Sequence, residues 1–179
     1  SGLSVTIDTT APTLTVSTLS FSADTGSSSS DFITQTAAQT ISGTLSGVTA
    51  TGDIAEVSFD NGSTWATASN TIGQNSWSLA GQTLTASNTL KVRVTDAAGN
   101  TGTAASQAYV LDTTAPSVTA VSIPATTMKV GATVTATITV ADDGGVAYTL
   151  GSGTIGGFTL SNLTRSNSTT YTADFTVTE

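Results

Sequence analysis

The residues able to do chemistry in this chain are carboxylates. Ten of its twelve acidic residues are Asp, and most stand beside Gly, Asn, Ser or Thr rather than on a helical face. Such residues suit turns, because Asp and Asn bond their own backbone. They also suit an oxygen cage for a hard cation such as calcium. His and Cys are both absent, which removes disulfides, thiolate metal sites and thiol catalysis. A pair of carboxylates acting as acid and base would be the remaining route to an enzyme. The adjacent Asp142 and Asp143 do not provide it, since neighbours in an extended stretch point to opposite faces. Catalysis is therefore not expected.

The elements that must position these acids are strands. Thr is abundant, and its branched Cβ fits a pleated surface. "IDTTAPT" (Ile7 to Thr13) returns as "LDTTAPS" (Leu111 to Ser117), so Asp8 and Asp112 stand 112 − 8 = 104 residues apart. That period matches an immunoglobulin-like sandwich of about 100 residues. The expected fold is all-β: tandem immunoglobulin-like β-sandwich domains of two antiparallel sheets with Greek-key connections, the second domain incomplete. Residues 1–8 read as the last strand of a preceding repeat, 9–112 as a complete sandwich, and 113–179 as a second repeat lacking its last strands. Alternation supports this in "PTLTV", "QTISGTL", "TLKVRVTD" and "ATVTATITVADD". Asn61-Gly62 marks a hairpin. Trp65 on the return strand and Trp77 are expected to fill the core.

The formal charge is −8 with only four basic residues, too few to neutralise a run of phosphates. Nucleic acid and anionic membrane are poor partners, and membrane insertion is not expected because no long apolar run is present. With no signal peptide visible, the chain reads as an internal piece of something longer.

In the strand order of such a sandwich, the loop "ADTGSSSSDFIT" lies at the end where the chain leaves the first domain. This brings Asp24 and Asp31 near Asp112. Across the joint, "ADDGG" would present Asp142 and Asp143. The opposite end gathers Asp8 with Asp96 and Asn100 of "TDAAGN", and Asp53 of "TGDIAE" joins them. Calcium (Ca2+) bound there would relieve carboxylate repulsion and lock the angle between domains. Asp60 of "DNG" needs no metal to form its hairpin.

"DTTAP" at each joint, "DTGSSSSDFIT", "VSFDNGSTW" and "KVRVTDAAGNTG" together resemble the bacterial Ig-like repeats of giant adhesins, the biofilm-associated and RTX-type proteins exported by type I secretion. The resemblance spans nearly all of residues 1–116, and "TMKVGATVTATITVADDGG" is similar to a divergent relative of those repeats. It implies an extracellular stalk at the bacterial cell surface, stiffened by calcium at domain junctions. Its partners would be neighbouring repeats of the same chain or fibre, with any surface or glycan ligand engaged by other regions. Residue by residue, it puts ligands at Asp8, Asp112, Asp96 and Asn100, and Asp24 and Asp31 match the family's loop pattern. The second domain departs from the pattern in having no "DAAGN" hairpin. Two other functions compete with the stalk. A glycan-binding module would use Trp65, Trp77 or Tyr148 as stacking faces. A self-assembling filament or surface-layer subunit would donate the strand Leu3 to Ile7 to a neighbour.

Overall fold

The computed structural model describes residues 5–26, 28–141 and 147–179. They are all β and turn, with no helix among them. The chain divides into two compact units, residues 1–113 and 114–179.

Among its described residues unit 1 holds nine strands: β1 (Val16–Phe21), β2 (Ile33–Thr34), β3 (Ala38–Leu45), β4 (Ile54–Ser58), β5 (Ala66–Thr67), β6 (Ser69–Asn70), β7 (Ser76–Thr83), β8 (Asn88–Thr95) and β9 (Ala105–Leu111). One sheet has the order β1-β3-β7-β6 and the other β2-β9-β8-β4-β5. All pairs are antiparallel except the short β2–β9 ladder, where Ile33 and Thr34 run parallel to Val110 and Leu111. Because side chains alternate across a strand, β8 turns Leu90, Val92 and Val94 inward, each no more than 1% exposed. Lys91 and Arg93 face the other way. Ile41 and Leu45 of β3 and Trp77 of β7 meet them from the first sheet. Phe21, Phe32 and Tyr109 close one end with edge-on rings 5.0 and 5.9 Å apart. This is a β-sandwich, as expected.

Three details depart from or add to this pattern. The strand read at "PTLTV" begins only at Val16, although Leu14 still packs on the core. Gln39 shares the inward face of β3 with Ile41 and is buried, beside a register shift in the β3–β7 pairing where β7 carries the extra residue. Its amide donates to Ala23 O and Thr36 O and accepts from Ser22 Oγ, so the buried polar group is satisfied. Trp65, expected in the core, lies outside it. Arg93 Cζ stands 4.0 Å above its ring, and Arg93 Nε donates at 2.8 Å to Glu56 Oε2. Glu56 and Arg93 are direct partners across β4 and β8. They occupy the solvent-facing side of the sheet, opposite Val57 and Val92, and Trp65 lies with them.

Unit 2 holds β10 (Val118–Ser122), β11 (Thr133–Val140), β12 (Thr154–Ile155), β13 (Phe158–Thr159), β14 (Ser161–Arg165) and β15 (Thr170–Thr176). The order β10-β11-β15-β14 forms one antiparallel sheet, and β12-β13 a separate two-stranded ribbon. Val134, Ala136, Ile138 and Val140 of β11 line one face beside Tyr171, Ala173 and Phe175 of β15. Phe158 of the ribbon stacks on Phe175 with ring centroids 5.5 Å apart. Beside the ribbon the described residues form an apolar depression of about 420 Å3, lined by Val121, Ile138, Val140, Tyr148, Leu163 and Tyr171 among others.

Candidate metal sites

The segment around Asp8 is held to the rest of unit 1 by the "TDAAGN" hairpin. Asp96 N donates to Asn100 O, and Gly99 N donates to Asp96 O. The Asp96 carboxylate accepts from Ala98 N and Asn100 N on one oxygen and from Asn100 Nδ2 on the other. These donors favour the charged form, and the Asn100 side chain is the main cause holding the Asp96 carboxyl below its usual range. Asn100 Nδ2 also donates to Asp8 O at 3.2 Å. Two residues further on, Gly102 lets Pro12 pass: a Cβ there would sit 2.7 Å from Pro12 O. The Asp8 carboxylate accepts from Thr10 N, and Asp53 Oδ2 accepts from Ala50 N. Asp8, Asp53 and Asp96, spaced widely in sequence, thus line one shallow depression of about 380 Å3 with Pro12 and Val48.

At the other end, the loop carrying Asp24 and Asp31 lies along β9. Phe32 O accepts from Val110 N, and Thr34 O accepts from Asp112 N. Phe32 N donates to Asp24 Oδ2 at 2.9 Å, and Ile33 N to Asp31 Oδ1 at 3.1 Å. Phe32 takes φ 61° to make this turn. The second oxygen, Asp24 Oδ1, is buried and meets no hydrogen-bond donor among the described residues. A buried carboxylate oxygen without a donor is costly. Nothing in the sequence distinguished that oxygen from those of Asp31, because its burial depends on how the loop folds back.

Asp60, at the same end, has its oxygens engaged by Ser58 Oγ, Thr64 N and Thr64 Oγ1 at 2.6 to 2.8 Å. The Thr64 hydroxyl leads in lowering its carboxyl to about 2. Its charge in turn adds to burial in raising the Tyr109 phenol. Asp142 and Asp143 lie outside the described residues. Among the described residues, no three acidic side chains are arranged to hold a metal ion on their own. The donors at either end are therefore carboxylates already used by turns, plus one orphaned oxygen.

In unit 1 two sheets pack face to face and the Asp residues all stand in loops, which defines a β-sandwich module. Residues 9–113 match the family model described as bacterial Ig-like domain. The chain belongs to the bacterial Ig-like domain family. No curated protein and no solved structure matches it. Domains of this family are typically non-enzymatic and often occur in surface or extracellular proteins.

Proposed function

We propose that the chain is a structural segment of an extracellular bacterial adhesin stalk, exported by type I secretion and rigidified by calcium at its joints. Family membership and the recurrence of "DTTAP" in register support the stalk. The observation that carries the calcium reading is Asp24 Oδ1, a buried carboxylate oxygen with no donor among the described residues, which a cation would satisfy. Calcium takes roughly six to eight oxygens and neutralises close carboxylates. Asp24, Asp31 and Asp112 would serve one joint, with Asp142 and Asp143 completing it. Asp8, Asp96 and Asn100 would serve the other. A cation that binds only the folded form stabilises by mass action, about 2.7 kcal/mol at a hundredfold excess over Kd. Calorimetric titration should show calcium binding and a raised melting temperature, both weakened in Asp24→Asn. Absence of binding heat, with the same melting temperature in EDTA, sinks the calcium reading.

A glycan role for Trp65 loses support because Arg93 covers one face of its ring. Assembly of copies by strand donation is the second reading, favoured by the apolar depression beside β10, an edge strand able to accept a partner strand. Light scattering after size exclusion separates the two: oligomers that grow with concentration support donation, and a monomer at every concentration removes it.

A further inference from the structure

Asn61 is the one Asn followed by Gly in the sequence, and that pair is chemically reactive. The Gly nitrogen can bond to the Asn side-chain carbon and give up its proton. The Cγ–Nδ2 bond then breaks and Nδ2 leaves as ammonia. Water opens the resulting five-membered imide at either carbonyl, giving Asp or isoaspartate. Gly lowers the barrier because it has no Cβ to obstruct ring closure. Closure still requires Asn61 to swing its Cγ over the Gly62 nitrogen, with the Gly62 amide free to lose its proton.

The hairpin opposes both requirements. Gly62 N donates to Ser58 Oγ at 2.8 Å, and Gly62 O accepts from Trp65 Nε1 at 3.1 Å. Gly62 is thus tied on both sides, the reactive Asn61–Gly62 peptide at its N–H and the following peptide at its oxygen. Asn61 N donates to Thr89 O at 3.1 Å, which fixes the preceding peptide to the neighbouring strand. Asn61 and Gly62 hold φ of 59° and 94°, the left-handed pair that a two-residue turn demands. Ser58 is itself immobilised. It is 1% exposed, and its hydroxyl donates to Asp60 Oδ1 at 2.7 Å. Asp60 is anchored in turn by Thr64, and Trp65 lies beneath Arg93. The Asn61 residue remains exposed to water.

We propose that Asn61 is a spontaneous deamidation site and that the Ser58 hydroxyl, by holding the Gly62 amide, latches it in an unreactive state. The latch does not depend on calcium or on any neighbouring repeat, because its parts lie within one hairpin and the strand beside it. It matters for a protein that must persist outside a cell. Isoaspartate would insert a methylene into the turn, and either product would place a second carboxylate beside Asp60.

The test is peptide mapping by mass spectrometry after prolonged incubation of the whole chain in mildly alkaline buffer, with isoaspartate detected by enzymatic methylation. Wild-type Asn61 should convert far more slowly than in a synthetic peptide of residues 56–67. Ser58→Ala should speed conversion in the folded protein by roughly tenfold, the scale of one lost hydrogen bond of ordinary strength. Gly62 amide exchange should accelerate in parallel. If Ser58→Ala does not fold, Trp65→Phe carries the same prediction, since losing the indole bond to the Gly62 carbonyl lets Gly62 turn its N–H away from Ser58 while an aromatic ring stays beneath Arg93. Wild-type conversion at the peptide's rate, or a folded variant converting at the wild-type rate, overturns the proposal.

Discussion

Within the β4–β5 hairpin a single carboxylate organises the turn, and its charge state sets when the turn holds. Asp60 accepts from Ser58 and twice from Thr64, and these bonds depress its carboxyl from 3.8 to about 2. The folded pKa lies below the unfolded one, so the carboxylate contributes stability that is fully present above pH 3.8. That contribution is lost as pH falls through about 2. Asp96 and Asp174 are lowered in the same direction, by Asn100 and by Thr135 respectively, so acid weakens both units. Urea midpoints across this acid range should show wild type exceeding Asp60→Asn near neutral pH and converging with it as the pH approaches 2. Removing the charge should also let the Tyr109 phenol titrate at lower pH, since Asp60 helps to raise it. A constant gap between the two proteins across that range would show that the Asp60 charge does not support the turn.

At the scale of strands and loops, legibility followed how local the cause was. β8 and β11 could be read residue by residue, because the pleat puts every second side chain on one face. The Asn61-Gly62 turn was equally plain, since few other pairs tolerate two left-handed residues in succession. Trp65 was misplaced because its partner is set by cross-strand register: Glu56 opposes Arg93, and the Arg93 guanidinium caps the ring. A large aromatic near a hairpin reads as core unless that register is known. The alternation of "GGFTLSNL" is broken in the fold into the short strands β13 and β14, and Gly156 and Gly157 separate β12 from β13 with left-handed φ of 57° and 93°. The gathering of Asp8, Asp53 and Asp96 was legible as soon as a strand order was assumed. What holds them together was not, because it rests on Asn100 reaching Asp8 O and on Pro12 passing Gly102.

At the scale of the whole chain, the two units differ in how much core each assembles, and that difference has a thermal consequence. Unit 1 joins thirteen buried apolar residues from both sheets into one cluster. Among the described residues, unit 2 splits its buried apolar residues into a cluster of four and a cluster of three, beside an apolar depression. Since stability follows the apolar area removed from water, unit 2 should unfold at the lower temperature and unit 1 at the higher. The two events can be told apart by spectroscopy, because Trp65 and Trp77 both lie in unit 1. Tryptophan fluorescence should therefore report only the upper transition, while circular dichroism reports both. Phe175→Ala removes a side chain 2% exposed in unit 2 and should cost about 3–5 kcal/mol, displacing or abolishing the lower transition alone. Ile41→Ala, at a fully buried position in unit 1, should cost about 2–5 kcal/mol and move only the upper one. A single transition seen equally by both probes and shifted by both substitutions would mean that the units melt as one, and that the smaller core draws its stability from the larger.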